Sequence, residues 1–379
     1  MRSILSATGD SSRLPLISWG DIAGSVGNFG TILPLFFAVS LTTGMSLSLM
    51  LLLCGVWYII CGFVYRIPIP VEPLKAVAAV AIAEQISPEL IAASGILIGL
   101  LFLILGLTGG MEWIREKIPL AVIRGIQLGL GLILLKSAIF TFGIQDLFFF
   151  PLCIGIIILF LLVRQVRNIP DLSALCILGL GVGVLILTSG TPEITFPTLP
   201  VLIIPDLSQY LTAGVQLAIP QIPLTLANAV LATSLLATEL YHRPVSPDRL
   251  SLTIGVMSLS TSVLGGFPMC HGAGGVAAHY RFGARHGSAM IIGGIILIAA
   301  ATVLTDPHTL DAIPEGVFGA LLLAVSIELI IHGMKTDNRL VTGVIAVIAL
   351  PAGIATAFVG GLILSALMRY HSRERIKPT

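Results

Sequence analysis

The sequence predicts an all-α polytopic membrane protein of fourteen apolar segments, arranged as a seven-plus-seven inverted repeat whose third and tenth segments are short half-helices. Three observations point there. Hydrophobic residues make up 56% of the 379 and charged residues 10%, against roughly 25% charged residues in soluble domains. The few charges fall between apolar runs long enough to span a bilayer. Two further apolar runs are too short to cross alone, and they resemble each other.

A soluble chain of this length would have too little polar surface to cover its core, so the lipid bilayer is the expected environment. The net charge of +1 supplies no basic face for polyanions, and nucleic acid is not an expected partner. The 40 glycines and 22 prolines suit close-packed, interrupted membrane helices. Cys54, Cys61, Cys153, Cys176 and Cys270 lie in apolar runs without a CxxC pair, which argues against a disulfide framework or a zinc site. Residues 1–18 contain Arg2, Asp10 and Arg13 and lack the apolar region of a signal peptide. The tail after Met368 is only RYHSRERIKPT, so no appended soluble domain is expected.

A span needs about 20 apolar residues. Runs of that order lie near 19–41, 44–64, 90–110, 119–139, 145–163, 172–190, 210–237, 249–266, 287–305, 312–333 and 338–369. The last is long enough for two helices, with a break expected at Pro351-Ala352-Gly353. The short runs are 73–84 and 271–281, each following a proline-bearing extended stretch.

With the N-terminus inside, the pairs Arg115 and Lys117, Arg164 and Arg167, Arg243 and Arg249, Arg281 and Arg285, and Lys335 and Arg339 all fall inside. So does the tail with Arg373, Arg375 and Lys377. Loops expected outside, around 190–209 and 306–315, carry Glu193, Asp206, Asp306, Asp311 and Glu315 but no Lys or Arg. Both termini are thus expected in the cytoplasm, and the lack of an N-terminal extension favours a bacterial inner membrane. Arg66, Lys75, Arg124 and Lys136 alone among the basic residues lie within or beside apolar segments.

Gly55-Val56 and Pro68 recur 200 positions later as Gly255-Val256 and Pro268, each before a short helix of small residues. Each half then holds seven segments with an interrupted third. Seven is odd, so the second half enters from the opposite side, as in transporters that bind substrate between discontinuous helices. The expected halves are residues 1–205 and 206–370, followed by a cytoplasmic tail, 371–379.

In YRIPIPVEPLKAVAAVAIAE (65–84), Pro68, Pro70 and Pro73 force an extended approach. Pro73 suits the first helical position, with Glu72 as a cap and the first-turn N–H groups facing a cavity. Such a helix start, with Lys75 in its first turn, suits an oxyanion. The alternative is a local Glu72–Lys75 pair filling a polar gap; charge at membrane depth favours a functional role. In GGFPMCHGAGGVAAHYRFGARHG (265–287), Gly272, Gly274 and Gly275 allow close backbone approach to a ligand. By the repeat, His271, Gly272, Ala273, Gly274 and Gly275 would face Glu72 to Ala76. Cys270, His271 and His279 match no common metal-ligand spacing.

In LAIPQIPLTLANAVLATSLLATEL (217–240), Pro220 and Pro223 should break or kink the span. Gln221, Thr225 and Asn228 would share one helical face, lining a site or bonding a neighbouring helix. In WGDIAGSVGNFGTILPL (19–35), Gly20, Gly24 and Gly27 suggest close packing. Asn28 and Thr31 are polar residues deep in the span, with Asp21 nearer the inner interface.

These segments resemble the molybdate transporter family, a branch of the sulfate-permease superfamily, over essentially the whole chain. The likeness is most specific in PIPVEPLKAVAAVA (68–81), PQIPLTLANAV (220–230) and CHGAGGVAAHYRFGAR (270–285). It implies a core moving against a gate, and an anion held between the starts of the third and tenth segments with the first and eighth beside them. Typical sulfate permeases carry a C-terminal cytoplasmic regulatory domain, which is not expected here after the short tail that follows Met368. Two departures stand out: Glu72 replaces the family's usual Gln, and Gly27-Asn28-Phe29-Gly30 replaces Gly-Asp-Leu-Gly. One carboxylate appears where another has gone, which makes Glu72 the expected proton-coupling acid.

The resulting expectation is a secondary active transporter of a tetrahedral oxyanion, molybdate first and sulfate second, coupled to protons and working by alternating access. A nucleobase or organic-anion carrier and a passive anion channel are the rivals. No HExxH or GxSxG motif suggests an enzyme, no cofactor is implied, and a homodimer is one assembly open to such a chain.

Overall fold

A computed structural model describes residues 17–111, 119–167, 172–191, 193–197, 199–305 and 312–374. Arg2, Asp10, Arg13, Arg115, Lys117, Asp306, Asp311, Arg375 and Lys377 lie outside the described residues.

The first span is broken. Helix α1 (Trp19–Gly24) and helix α2 (Phe29–Thr43) are separated by a short turn that ends at Asn28. Helix α3 (Leu47–Tyr65) starts at Ser46, whose hydroxyl accepts from the Leu49 N–H, and stops at Arg66 in a left-handed conformation. An extended stretch leads to strand β1 (Glu72–Pro73), and helix α4 (Lys75–Glu84) follows. Helix α5 (Pro88–Thr108) begins with Ser87 as cap and proline at its start, a sequence suited to helix initiation.

Helix α6 (Leu120–Ser137) continues through wider and tighter turns to Gln145. Asp146 then accepts from the N–H groups of Phe148 and Phe149. It thereby sets the start of helix α7 (Phe149–Arg167), a few residues after the expected onset. Helix α8 (Ser173–Ser189) precedes a long connection.

Helix α9 (Leu207–Tyr241) is the longest before the last span. Pro220 and Pro223 do not break it. They sit in a short α-helical stretch, Ile219–Leu224, flanked by π turns at Gly214–Ala218 and Thr225–Ala232. Each proline removes an N–H and crowds the preceding turn, and wider turns on either side accommodate that misfit without ending the helix.

Helix α10 (Pro247–Val263) is followed by strand β2 (Met269–Cys270) and helix α11 (Ala273–Arg281). Helix α12 (Ser288–Val303) and helix α13 (Glu315–Gly333) precede helix α14 (Arg339–Glu374). The expected break in the last span falls at Gly353, with φ 79° and ψ 161°. Seven of the described helical stretches are long and apolar enough to cross a membrane, and three shorter apolar ones accompany them.

Helix pairs group the structure. Helix α3 lies along α12, and α5 along α10; α6, α13 and α14 pack together separately. Helices α4 and α2 lie between these groups, α4 against α6 and α2 against α13. The glycines of the first span make the expected close approach. A Cβ on Gly27 would fall 3.0 Å from the His279 Cα, and Gly24 abuts Ala284. Asp21 is fully buried, accepting from the backbone N–H groups of Arg285 and His286 at 2.8 and 3.0 Å. The start of α1 is thereby fixed to the end of α11.

Candidate anion site

The site begins with backbone pairing. Strands β1 and β2 are antiparallel, with Glu72 opposite Cys270 and Pro73 opposite Met269. The Leu74 N–H donates to the Pro268 carbonyl at 3.0 Å. Prolines at 68, 70 and 73 exclude helix on the approach, and the ribbon gives the remaining backbone groups partners in a region without water. It brings the starts of α4 and α11 together, the juxtaposition expected from the two short segments.

Glu72, 1% exposed, lies at the centre. Its Oε2 is 3.0 Å from the Lys75 ammonium, and its Oε1 accepts from the Asn28 amide at 3.0 Å. The break between α1 and α2 places Asn28 there. Gly272 and Gly275 press against the same carboxylate. A Cβ on Gly275 would fall 2.6 Å from Glu72 Oε1, 2.7 Å from Pro70 Cγ and 2.8 Å from Asn28 Nδ2, and one on Gly272 would overlap the Glu72 carboxylate. A side chain at either position would have to displace the Glu72 carboxylate. The local Glu72–Lys75 pair is therefore real, and it sits inside the cluster expected to hold an anion.

The two helix starts are not equivalent. Pro73 belongs to the strand rather than the first helical turn, because the ribbon keeps the chain extended until Leu74; α4 begins at Lys75 with no cap from Glu72. Nor are the first N–H groups of α4 free. Gln221 Oε1 accepts from Ala76 N at 2.8 Å, with Val77 N at 3.4 Å, and Gln221 Nε2 donates to Thr225 Oγ1 at 2.8 Å. Gln221 and Thr225 are each 1% exposed. Gln221 therefore reaches a neighbouring helix as well as the site.

Other expected residues are placed differently. The His271 ring turns from Glu72: Nδ1 lies 2.8 Å from the Pro70 carbonyl and Nε2 2.7 Å from Thr253 Oγ1. Both nitrogens are thus engaged by α10 and the β1 approach, and the ring braces the ribbon. Asn228 and Thr31 are half-buried, and neither side chain hydrogen-bonds to the cluster among the described residues. The π turn over Thr225–Ala232 alters the helical period, which rotates Asn228 out of line with Gln221 and Thr225. His279 Nδ1 lies 2.7 Å from the Gly24 carbonyl, and no group of His, Cys, Asp or Glu suited to a metal occurs among the described residues.

One residue escaped the sequence reading. Glu328, in the apolar run LLLAVSIELII of α13, reaches the start of α11: a Cβ on Gly274 would fall 3.1 Å from its Oε1. It also interacts electrostatically with Lys75. Its signal was available, since an acid in mid-span is costly and rarely idle. Lys75 thus interacts with two carboxylates, Glu72 on its own segment and Glu328 on α13.

Half-helix starts joined by a ribbon thus place a buried lysine between them. The fold as a whole is shared with solved structures. It superposes on the transmembrane domain of the cyanobacterial bicarbonate transporter BicA with TM-score 0.64, at 18% identity, covering 92% of this chain and 98% of that one. The murine anion transporter Slc26a9 in its inward-facing state gives TM-score 0.67, at 15% identity, over 98% and 70% of the two chains.

A family model described as "Molybdate transporter of MFS superfamily" matches residues 20–134 and 213–329. Molybdate transporter 2 of Arabidopsis thaliana is 30% identical, over 93% of this chain and 88% of that protein. Molybdate transporter 1 of Chlamydomonas reinhardtii is 25% identical, over 92% and 91%. The chain belongs to the molybdate transporter family.

Proposed function

We propose that this protein carries molybdate across its membrane by alternating access, coupled to protons through Glu72. Two inverted halves, residues 1–205 and 206–370, would supply α4 and α11, and the termini would lie in the cytoplasm. One observation carries the reading. The Glu72 carboxylate is held by Lys75 and Asn28 and lies against the glycine start of α11, and a cation, an amide and a helix start are groups that suit a tetrahedral oxyanion.

Glu72 is then a tethered competitor for its own binding site. Protonation removes its charge and weakens its hold on Lys75, and the arriving dianion takes over the ammonium and the α11 start. Release reverses the order, and Glu72 returns to Lys75 as its proton leaves. A buried cation is never left unpaired, which keeps the cost of each state low. The relatives' substrate names support molybdate over other oxyanions.

The test is uptake of labelled molybdate by the purified chain in liposomes under an inward proton gradient. Unlabelled sulfate, tungstate and uracil serve as competitors, with Lys75→Ala as control. Gradient-driven accumulation, displaced by tungstate and lost in Lys75→Ala, is the expected result. Accumulation displaced only by uracil, or equilibration without accumulation, would sink the reading.

A further inference from the structure

We infer that Glu328 is a second proton-binding acid of this site, so that two protons travel with each dianion. The inference rests on the transport reading above and adds a residue and a stoichiometry to it. Lys75 has Glu72 Oε2 at 3.0 Å on its own segment, and Glu328 lies within electrostatic reach on α13. Glu328 also touches the start of α11, with Oε1 3.1 Å from where a Gly274 Cβ would stand.

Formal charge sets the count. Two carboxylates and one ammonium leave the site at minus one, and a dianion entering unaided would bring it to minus three. Helix starts contribute roughly half a positive charge each, and that of α4 is already engaged by Gln221. An uncompensated excess of that size inside a membrane is prohibitive. With both carboxylates protonated, Lys75 and the start of α11 face the dianion alone.

Among the described residues, the groups on the surrounding elements have partners or positions of their own. Helix α2, packed on α13, carries no titratable side chain. On α6, Arg124 Nη1 donates to Gln127 at 2.9 Å, and Lys136 lines a separate cavity of about 240 Å³ with Glu84. Helices α7 and α8 pack on α13 and carry Cys153, which is buried, and Cys176, which is exposed. His332, one turn along α13, has Nδ1 2.9 Å from the Glu328 carbonyl. On α11, His279 is engaged by the Gly24 carbonyl, and Tyr280 stacks with Arg285.

The proton balance is complete. Glu328 and Glu72 each take one proton from the side where the anion enters and each release one where the anion leaves. Net charge moved per cycle is zero, so molybdate uptake should not respond to membrane potential.

The experiment uses the full chain in liposomes with a trapped pH dye and a potassium-clamped membrane potential. Wild type should carry two protons per molybdate, with uptake unchanged between zero and inside-negative potential. Glu328→Gln should carry one, and inside-negative potential should slow it. A parallel titration of molybdate into detergent-solubilised protein, in buffers of different ionisation heat, counts protons taken up on binding and needs no turnover. There the expected numbers are two for wild type, one for Glu328→Gln and none for Glu72→Gln with Glu328→Gln. A wild-type count of one, or two retained in Glu328→Gln, would overturn the inference while leaving proton-coupled transport standing. Wild-type uptake with no proton movement would overturn both.

Discussion

Gln221 Oε1 lies 2.8 Å from the Ala76 backbone nitrogen, so a side chain from a long helix caps the half-helix that begins at Lys75. The same amide donates to Thr225 at 2.8 Å. One buried residue therefore joins α9 to the heart of the site.

Gln221→Leu should destabilise the fold by about 1–3 kcal/mol, the cost of leaving a buried polar group unpaired. Thermal unfolding in detergent measures it. Gln221→Glu should behave worse than Leu, since it adds a third carboxylate beside Ala76. A variant with wild-type stability would show that the cap is dispensable.

Lys75→Ala should cost about 3–5 kcal/mol, because Glu72 is left as a buried unpaired charge. Adding Glu72→Gln should recover most of that loss without restoring molybdate binding. Denaturation midpoints and a binding titration on the single and double variants separate the two effects. Binding restored in the double variant would remove Lys75 from the site.

Gly275→Ala should lower apparent molybdate affinity by about fivefold or more. Overpacking costs about 1–3 kcal/mol, and 1.4 kcal/mol is a factor of ten; the new methyl would lie 2.6 Å from Glu72 Oε1. Gly179→Ala on α8 is the control, with no atom within 4 Å of the added carbon. Equal uptake by both variants would contradict the tight cradle.

Uptake should rise as pH falls, because entry of the dianion requires Glu72 to be neutral. Glu72→Gln mimics the neutral form at every pH, so its profile should flatten while keeping any dependence due to Glu328. The measurement is initial uptake rate against external pH at fixed internal pH. A wild-type slope retained in Glu72→Gln would assign the dependence elsewhere.

The sequence carried much of this arrangement, for identifiable reasons. Pro68, Pro70 and Pro73 exclude helix wherever they occur, so the extended approach to α4 was readable, as was the glycine run at the start of α11. The break at Gly353 followed from Pro351 beside it. What could not be read was where side chains turn after packing. His271 looked like a site residue until the Pro70 carbonyl and Thr253 took both its nitrogens. Asn228 left its expected face because π turns absorbed two prolines, an effect that 3.6-residue periodicity cannot represent. Glu328 carries the same signal as the basic residues within apolar runs, since the cost of a charge at membrane depth applies to acids as well.

The pairing of Glu72 with Cys270 and Pro73 with Met269 constrains how cargo can be discharged. Two residues on each strand interlock the middle of the molecule, and Asn28 and Lys75 hold the carboxylate for which the glycines leave room. Pulling the ribbon apart would strip its backbone groups, the Leu74 N–H among them, of partners in apolar surroundings. Under the alternating-access reading proposed above, the paired strands would move as one unit with the starts of α4 and α11, and discharge would not require unzipping them.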